Sequence, residues 1–231
     1  MRFTQIPYSD GDTQLTGLLV RPEGTPRAAI AVYPTIANCT PVIEEKALAL
    51  ADAGYIAMIC DFYGGQPMGM EKAFSWADQL RADTAAYRAR LKAGLDALAK
   101  EASTHKLGAI GFCMGGQAVL ELARAGCDLF AVASFHGELT TKWYAKPRSI
   151  KPRILVCHGD ADPLVDRQQV LGFWEEMDAA RADWHFHSYA GVKHGFTNPH
   201  PAPGIHAVAY DASADRQSWT AMRSLFDEVL G

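Results

Sequence analysis

Short, unbroken apolar runs recur along this chain, and each opens into a turn rich in glycine, proline or aspartate. Ala28 to Tyr33, Tyr55 to Cys60, Leu107 to Ile110, Leu129 to Phe135 and Arg153 to Cys157 have the length and continuity of strands buried on both faces. Between the runs the apolar spacing turns helical. Thr40 stands at an N-cap position with Pro41 next, where its missing N–H costs nothing. Ile43, Ala47 and Leu50 then share a face, and Gly54 ends the helix. A helical stretch from Glu71 to Lys100 carries Leu91, Leu95 and Leu98 on one side and breaks near Arg81-Ala82-Asp83. Further helices are expected from Gln117 to Arg124, after Asp166 with Gln169 three residues on, and from Asp211 to Leu230. Two segments differ in kind. Phe3–Ile6 and Thr13–Val20 flank a Ser9-Asp10-Gly11-Asp12 turn, as in an antiparallel hairpin. Trp184 to Tyr189 alternates apolar and polar residues, so one face is wet; His185 and His187 lie on it and, lacking a third ligand nearby, read as solvated. Alternating strands and helices predict an α/β fold: a mostly parallel central sheet, helices on both faces, and an N-terminal antiparallel hairpin.

A chain of 231 residues suits one such domain spanning 1–231. The formal net charge is −4 and no basic run occurs, which argues against nucleic acid as partner. No apolar stretch reaches membrane-spanning length, and the first residues lack the apolar core of a secretory signal. The five cysteines, at 39, 60, 113, 127 and 157, are odd in number and form no C-x-x-C pair. A disulfide scaffold and a zinc ribbon are therefore poor readings, and a reducing cytoplasm is expected.

The candidate chemistry lies at the ends of the apolar runs. Leu107–Ile110 stops at Gly111-Phe112-Cys113-Met114-Gly115, and a helical pattern follows. This is the nucleophile-elbow pattern of α/β-hydrolases with cysteine in place of serine. A strand that turns sharply into a helix leaves no room two positions either side of the nucleophile, hence Gly111 and Gly115. The nucleophile then meets the positive end of the helix, which favours a thiolate. A second strand end opens into His158-Gly159-Asp160-Ala161-Asp162-Pro163-Leu164-Val165, and a third into Ala190-Gly191-Val192-Lys193-His194-Gly195-Phe196. Nucleophile, acid and histidine thus follow in α/β-hydrolase order. His194 would take the thiol proton and return it to a leaving oxygen, and a carboxylate from the acidic loop would orient it. In this architecture two backbone N–H groups hold the oxyanion; Met114, directly after the nucleophile, supplies one, and Ile36, in the turn after the buried run that ends at Tyr33, is the candidate for the other.

Taken together, the strand ending at Thr35-Ile36, "GYIAMICDFYGGQP", "GAIGFCMGGQAVL", "HGDADPLV" and "AGVKHGF" resemble the dienelactone hydrolase family over nearly the whole length. The resemblance implies a Cys113-Asp162-His194 triad that cleaves lactones and esters without metal or organic cofactor. Asp162 is preferred to Asp160 because Pro-Leu-Val follows it as in the family. Two positions depart from the best-known members: Thr35 replaces a glutamate beside the nucleophile, and Asn198 replaces an arginine that contacts the substrate carboxylate. Arg81 and Arg88 lie in the region of a second substrate arginine, although on general grounds helix arginines such as Arg81, Arg88 and Arg90 are solvated charges. The expected substrate is a small ester or lactone other than dienelactone itself. Acyl transfer or thioester cleavage on the same triad, and ligand binding without turnover, are the rival readings. Redox sensing by Cys113 lacks an adjacent resolving cysteine.

Overall fold

A computed structural model describes residues 2–201, 204 and 206–231. The strands take the order β1-β2-β4-β3-β5-β6-β7-β8 in one eight-stranded sheet. Contacts divide the chain into two compact units, Met1–Ala109 and Ile110–Gly231, with the boundary inside strand β5 (Leu107–Phe112).

The first unit begins with a hairpin. β1 (Thr4–Asp10) pairs antiparallel with β2 (Thr13–Val20), and β2 pairs antiparallel with β4 (Ile56–Ile59). β3 (Ala29–Tyr33), buried along its whole length, runs parallel to β4. Helix α1 (Pro41–Asp52) buries Ile43, Ala47, Leu50 and Ala51, the face expected from the spacing. Thr40 has the extended backbone of an N-cap, yet its side chain makes no capping bond. The long helical stretch is two helices, α2 (Gly69–Ala82) and α3 (Thr84–Ala102). Asp83 breaks them because its carboxylate accepts from the N–H groups of Ala85 and Ala86, restarting the helix as a strong N-cap. Arg90 on α3 is not a solvated charge: it reaches Asp10, Thr13 Oγ1 and the Phe62 carbonyl, holding the hairpin to the loop after β4.

In the second unit β6 (Ala131–Phe135), β7 (Arg153–Gly159) and β8 (Trp184–Tyr189) run parallel. Helix α4 (Met114–Arg124) starts three residues before the sequence pattern suggested and is buried along its whole length, including Glu121 and Arg124. Arg124 forms a two-pronged pair with Glu176 of α5 (Arg167–Ala180), at 2.9 and 2.7 Å. It also donates to Glu121 and to the Leu139 carbonyl. A charge this deep is tolerated only with its donors satisfied, and losing one partner of such a pair typically costs about 3–5 kcal/mol. Asp166 caps α5 through the Gln169 N–H, but the Gln169 side chain donates to the Leu164 carbonyl instead of completing a capping box. On the edge strand β8, Trp184 and Phe186 pack against Phe173 and Trp174 of α5 while His185 and His187 face solvent. The last helix, α6 (Ala212–Leu230), buries Met222, Leu225 and Phe226.

Candidate active site

At the end of β5 the chain reverses into α4 through Cys113, whose φ of 56° and ψ of −117° lie where few residues other than glycine are stable. The reversal needs close backbone contact: a Cβ on Gly111 would stand 1.8 Å from the Gly115 carbonyl oxygen. No side chain fits at that position, which explains Gly111. The Cys113 N–H is held twice, by the Phe135 carbonyl at 3.0 Å and by His136 Nδ1 at 3.1 Å. Met114 follows as the first residue of α4, at the positive end of the helix.

The acidic loop and the histidine loop meet at the ends of β7 and β8. Here too a glycine permits the approach, since a Cβ on Gly159 would lie 2.4 Å from the Val192 carbonyl oxygen. The Ala161 N–H donates to that carbonyl, stitching the two loops together. Asp162 Oδ2 lies 2.7 Å from His194 Nδ1, and Oδ1 accepts from the Leu164 N–H at 2.8 Å. The Asp162 side chain is fully shielded from solvent and that of His194 nearly so, at 8% exposure. Asp160, by contrast, turns outward to an ion pair with Arg167.

Burial alone would push the His194 imidazole down, but hydrogen bonding to Asp162 and the nearby Cys113 sulfur outweigh it and hold the pKa up, at about 10. Nε2 of His194 makes no hydrogen bond of good geometry among the described residues, although the Cys113 sulfur is close enough to favour its proton. Such contacts commonly tighten only when substrate is bound. The arrangement can store the proton of a thiol on an imidazole and keep it next to the sulfur.

Three buried groups around this pair escaped the sequence reading. His136, at the end of β6, sits edge-on to His194 with ring centres 5.0 Å apart, and its Nε2 lies 2.8 Å from Thr197 Oγ1. His158 is buried beside Asp162 and His194; desolvation lowers it below the usual imidazole range against the pull of Asp162. The only sequence cue was position: Phe135-His136-Gly137 is one more strand end in a sheet whose strand ends carry the chemistry.

A family model described as "Dienelactone hydrolase family" matches residues 15–230. The chain belongs to the dienelactone hydrolase family. A solved structure named m3DLH is 37% identical, with the match covering 100% of this chain and 99% of that one at a TM-score of 0.93. A dienelactone hydrolase-like promiscuous phosphotriesterase from metagenomic libraries is 34% identical, with 99% and 98% coverage and a TM-score of 0.91. A probable 2-oxo-3-(5-oxofuran-2-ylidene)propanoate lactonase of Bradyrhizobium sp is 28% identical over 206 residues, 81% of each chain. The fold is that of the α/β-hydrolases, and the family is one of lactone and ester hydrolases.

The remaining sequence-designated positions of this dienelactone hydrolase-family chain lie as follows. Thr35 and Ile36 occupy a tight turn after β3, in which the Asn38 N–H donates to the Thr35 carbonyl and Thr35 Oγ1 accepts from the Ala37 N–H. Tyr63 and Gln66, from the loop after β4, donate to the carbonyls of Ile36 and Cys39, and Asn38 bonds Asp61; the turn is thus clamped. Arg81, on α2, pairs with Asp78 one turn earlier. Asn198 lies four residues after His194, its N–H donating to the Gly195 carbonyl and its Oδ1 accepting from the His200 N–H. Among the described residues no cluster of three or more His, Cys, Asp or Glu side chains could hold a metal ion. Nor is any described helix long and apolar enough to cross a membrane.

Proposed function

We propose that this chain hydrolyses a carboxylic ester or lactone through an acyl-cysteine intermediate. The observation that carries the reading is the buried Asp162–His194 pair set beside a cysteine in the left-handed elbow conformation. Three costly features converge there: a strained backbone, a desolvated carboxylate and a desolvated imidazole. Their joint expense is reasonable only at a working site.

In this reading the Cys113 proton moves to His194 Nε2, while Asp162 fixes the other ring nitrogen and balances the imidazolium. The thiolate attacks the acyl carbon, forming an S–C bond, and the carbonyl electrons move onto oxygen. The Met114 N–H receives that oxyanion at the helix end. Ile36 is assigned as the second donor on the resemblance alone. Collapse breaks the C–O bond, and His194 gives its proton to the departing alkoxide. His194 then takes a proton from water, whose oxygen attacks the thioester and frees the acid and the thiol. No external oxidant or cofactor enters the balance.

Thr35 and Asn198 shape the substrate. A desolvated carboxylate needs a fixed cation, and Asn198 is neutral and shorter than the arginine it replaces. The lactonase and phosphotriesterase names of the relatives suit a pocket that accepts compact esters. Five free cysteines fit a reducing cytoplasm.

The deciding experiment mixes the protein with an activated aryl ester in excess. One equivalent of phenolate should appear in a burst, with the acyl mass found on the Cys113 peptide; full turnover by Cys113→Ala would refute the reading. Adding alcohols or thiols and measuring the product ratio separates hydrolysis from acyl transfer. With a carboxylate-bearing lactone and its methyl ester, kcat/KM should be higher for the ester. Preference for the free acid would overturn the pocket assignment and leave the nucleophile untouched.

A further inference from the structure

His136 does something for this site that a mere core histidine would not. It is 3% exposed, and its backbone bends into the left-handed region at φ 41°, which turns the ring from the end of β6 toward Cys113. A ring nitrogen that accepts from a backbone N–H carries no proton. Nδ1 is therefore bare, so the neutral ring holds its proton on Nε2 and donates to Thr197 Oγ1 at 2.8 Å. Thr197 is itself buried and lies three residues after His194, in the same loop. One side chain thus joins the backbone of the nucleophile to the loop that carries the base. The ring also stands edge-on to His194 and to Phe196, with centres 5.0 and 5.2 Å apart, filling the space through which the His194 ring would tilt.

We propose that His136 is a positioning residue that, through Thr197, holds Cys113 and His194 in register for proton transfer. The inference rests on the proposed thiol–imidazole chemistry and adds a second histidine to it. His136 acts only in its neutral form: a proton on Nδ1 would oppose the Cys113 N–H and bring a cation against His194. Among the described residues, Cys113 and His194 are titratable groups that face it, with Asp162 beyond His194. The elbow strain at Cys113 explains the need. With His136 gone the Cys113 N–H keeps only the Phe135 carbonyl, a residue at φ 56° shifts more readily when one of its two anchors is lost, and a displacement of about 1 Å between reacting groups can cost roughly 10²-fold in rate.

The test compares His136→Phe, which keeps the ring but removes both bonds, with His136→Asn, whose amide oxygen can accept from the Cys113 N–H. Thr197→Val and Thr197→Ser form the second pair. Kcat for an aryl ester should fall about 10- to 100-fold in His136→Phe, with KM changed less than threefold, and His136→Asn should recover a good part of it. Thr197→Val should fall in the same direction, and Thr197→Ser should stay close to wild type. The double variant His136→Phe/Thr197→Val should lose no more than the worse single one, because both cut the same link. The pH profile of iodoacetamide alkylation at Cys113 gives a readout that general destabilisation does not move: its midpoint should rise toward that of an ordinary thiol in His136→Phe. A folded His136→Phe with wild-type kcat and alkylation profile overturns the proposal, as does an Asn variant no better than Phe. If His136→Phe does not fold, the Thr197 pair decides by the same criteria. His194→Ala serves as control: activity surviving there refutes the triad reading itself, whereas loss there with full activity in His136→Phe refutes only the present inference.

Discussion

Helix α4 offers an internal experiment on cysteine reactivity, because one cysteine stands at each end. Cys113 precedes the first residue, at the positive pole; Cys127 lies three residues past Arg124, near the negative pole. A terminus contributes about 0.3–1 kcal/mol to a nearby charge, so the two positions differ by about 0.6–2 kcal/mol, or roughly 3- to 30-fold in thiolate population. The His194 imidazole, with its pKa held up at about 10, adds to this at Cys113 alone. The other three thiols are pushed the opposite way, to about 12, first by burial; at Cys39 the Glu44 carboxylate reinforces it, and at Cys60 and Cys157 tyrosine hydroxyls oppose it only in part. At pH 7 a thiol of pKa about 12 is ionised to about 10⁻⁵, against about 3% for an unperturbed one. Brief iodoacetamide treatment followed by peptide mass spectrometry should find Cys113 modified about 30-fold faster than Cys127 and about 10⁴- to 10⁵-fold faster than Cys39. Esterase activity should disappear in step with that single modification. Comparable labelling of Cys39 or Cys127, or activity that survives full modification of Cys113, would refute the electrostatic argument.

Two further expectations follow from the acidic loop and the base. Asp162→Asn should lower kcat by about 10³- to 10⁴-fold, since the amide can stabilise the wrong ring tautomer, whereas Asp160→Asn, which loses an exposed ion pair, should stay within a few-fold; steady-state kinetics on both variants, checked for fold by circular dichroism, decides. His194 has a folded pKa of about 10, above its usual value of 6.5, so the stability it adds is fully present below about pH 6.5 and is lost as pH rises through about 10. The Tm difference between wild type and His194→Gln should therefore narrow between those two pH values, and a difference that widened would contradict the sign.

Much of this layout was legible because local signals and tertiary structure agree. The Leu91, Leu95 and Leu98 spacing lies on the buried face of α3, and Asp83 breaks the long helical stretch where the pattern faltered. The start of α4 was missed because Met114-Gly115-Gly116 has poor helix propensity. Burial of every residue in the helix overrides that preference. Thr40 has the right identity and the extended backbone of a cap, yet its side chain makes no capping bond, so residue type alone did not reveal the cap's state. Arg90 looked solvated because its partners, Asp10, Thr13 and Phe62, are distant in sequence. His136 and Thr197 are 61 positions apart, and a single sequence shows nothing of a link whose ends meet only when β6 and the loop after β8 are both in place.

The spacing along the chain also bears on how the protein is made. Cys113 leaves the ribosome 81 residues before the imidazole of His194 that would activate it. At about 5–20 residues per second, that is roughly 4–16 s during which the nascent polypeptide exposes an ordinary thiol. Asp162 arrives between the two, too late to guide the sulfur and in time to receive the ring. On the proposed triad the chain therefore emerges unarmed: reactive electrophiles meet a sluggish thiol until the segment carrying His194 has emerged and packed against Asp162.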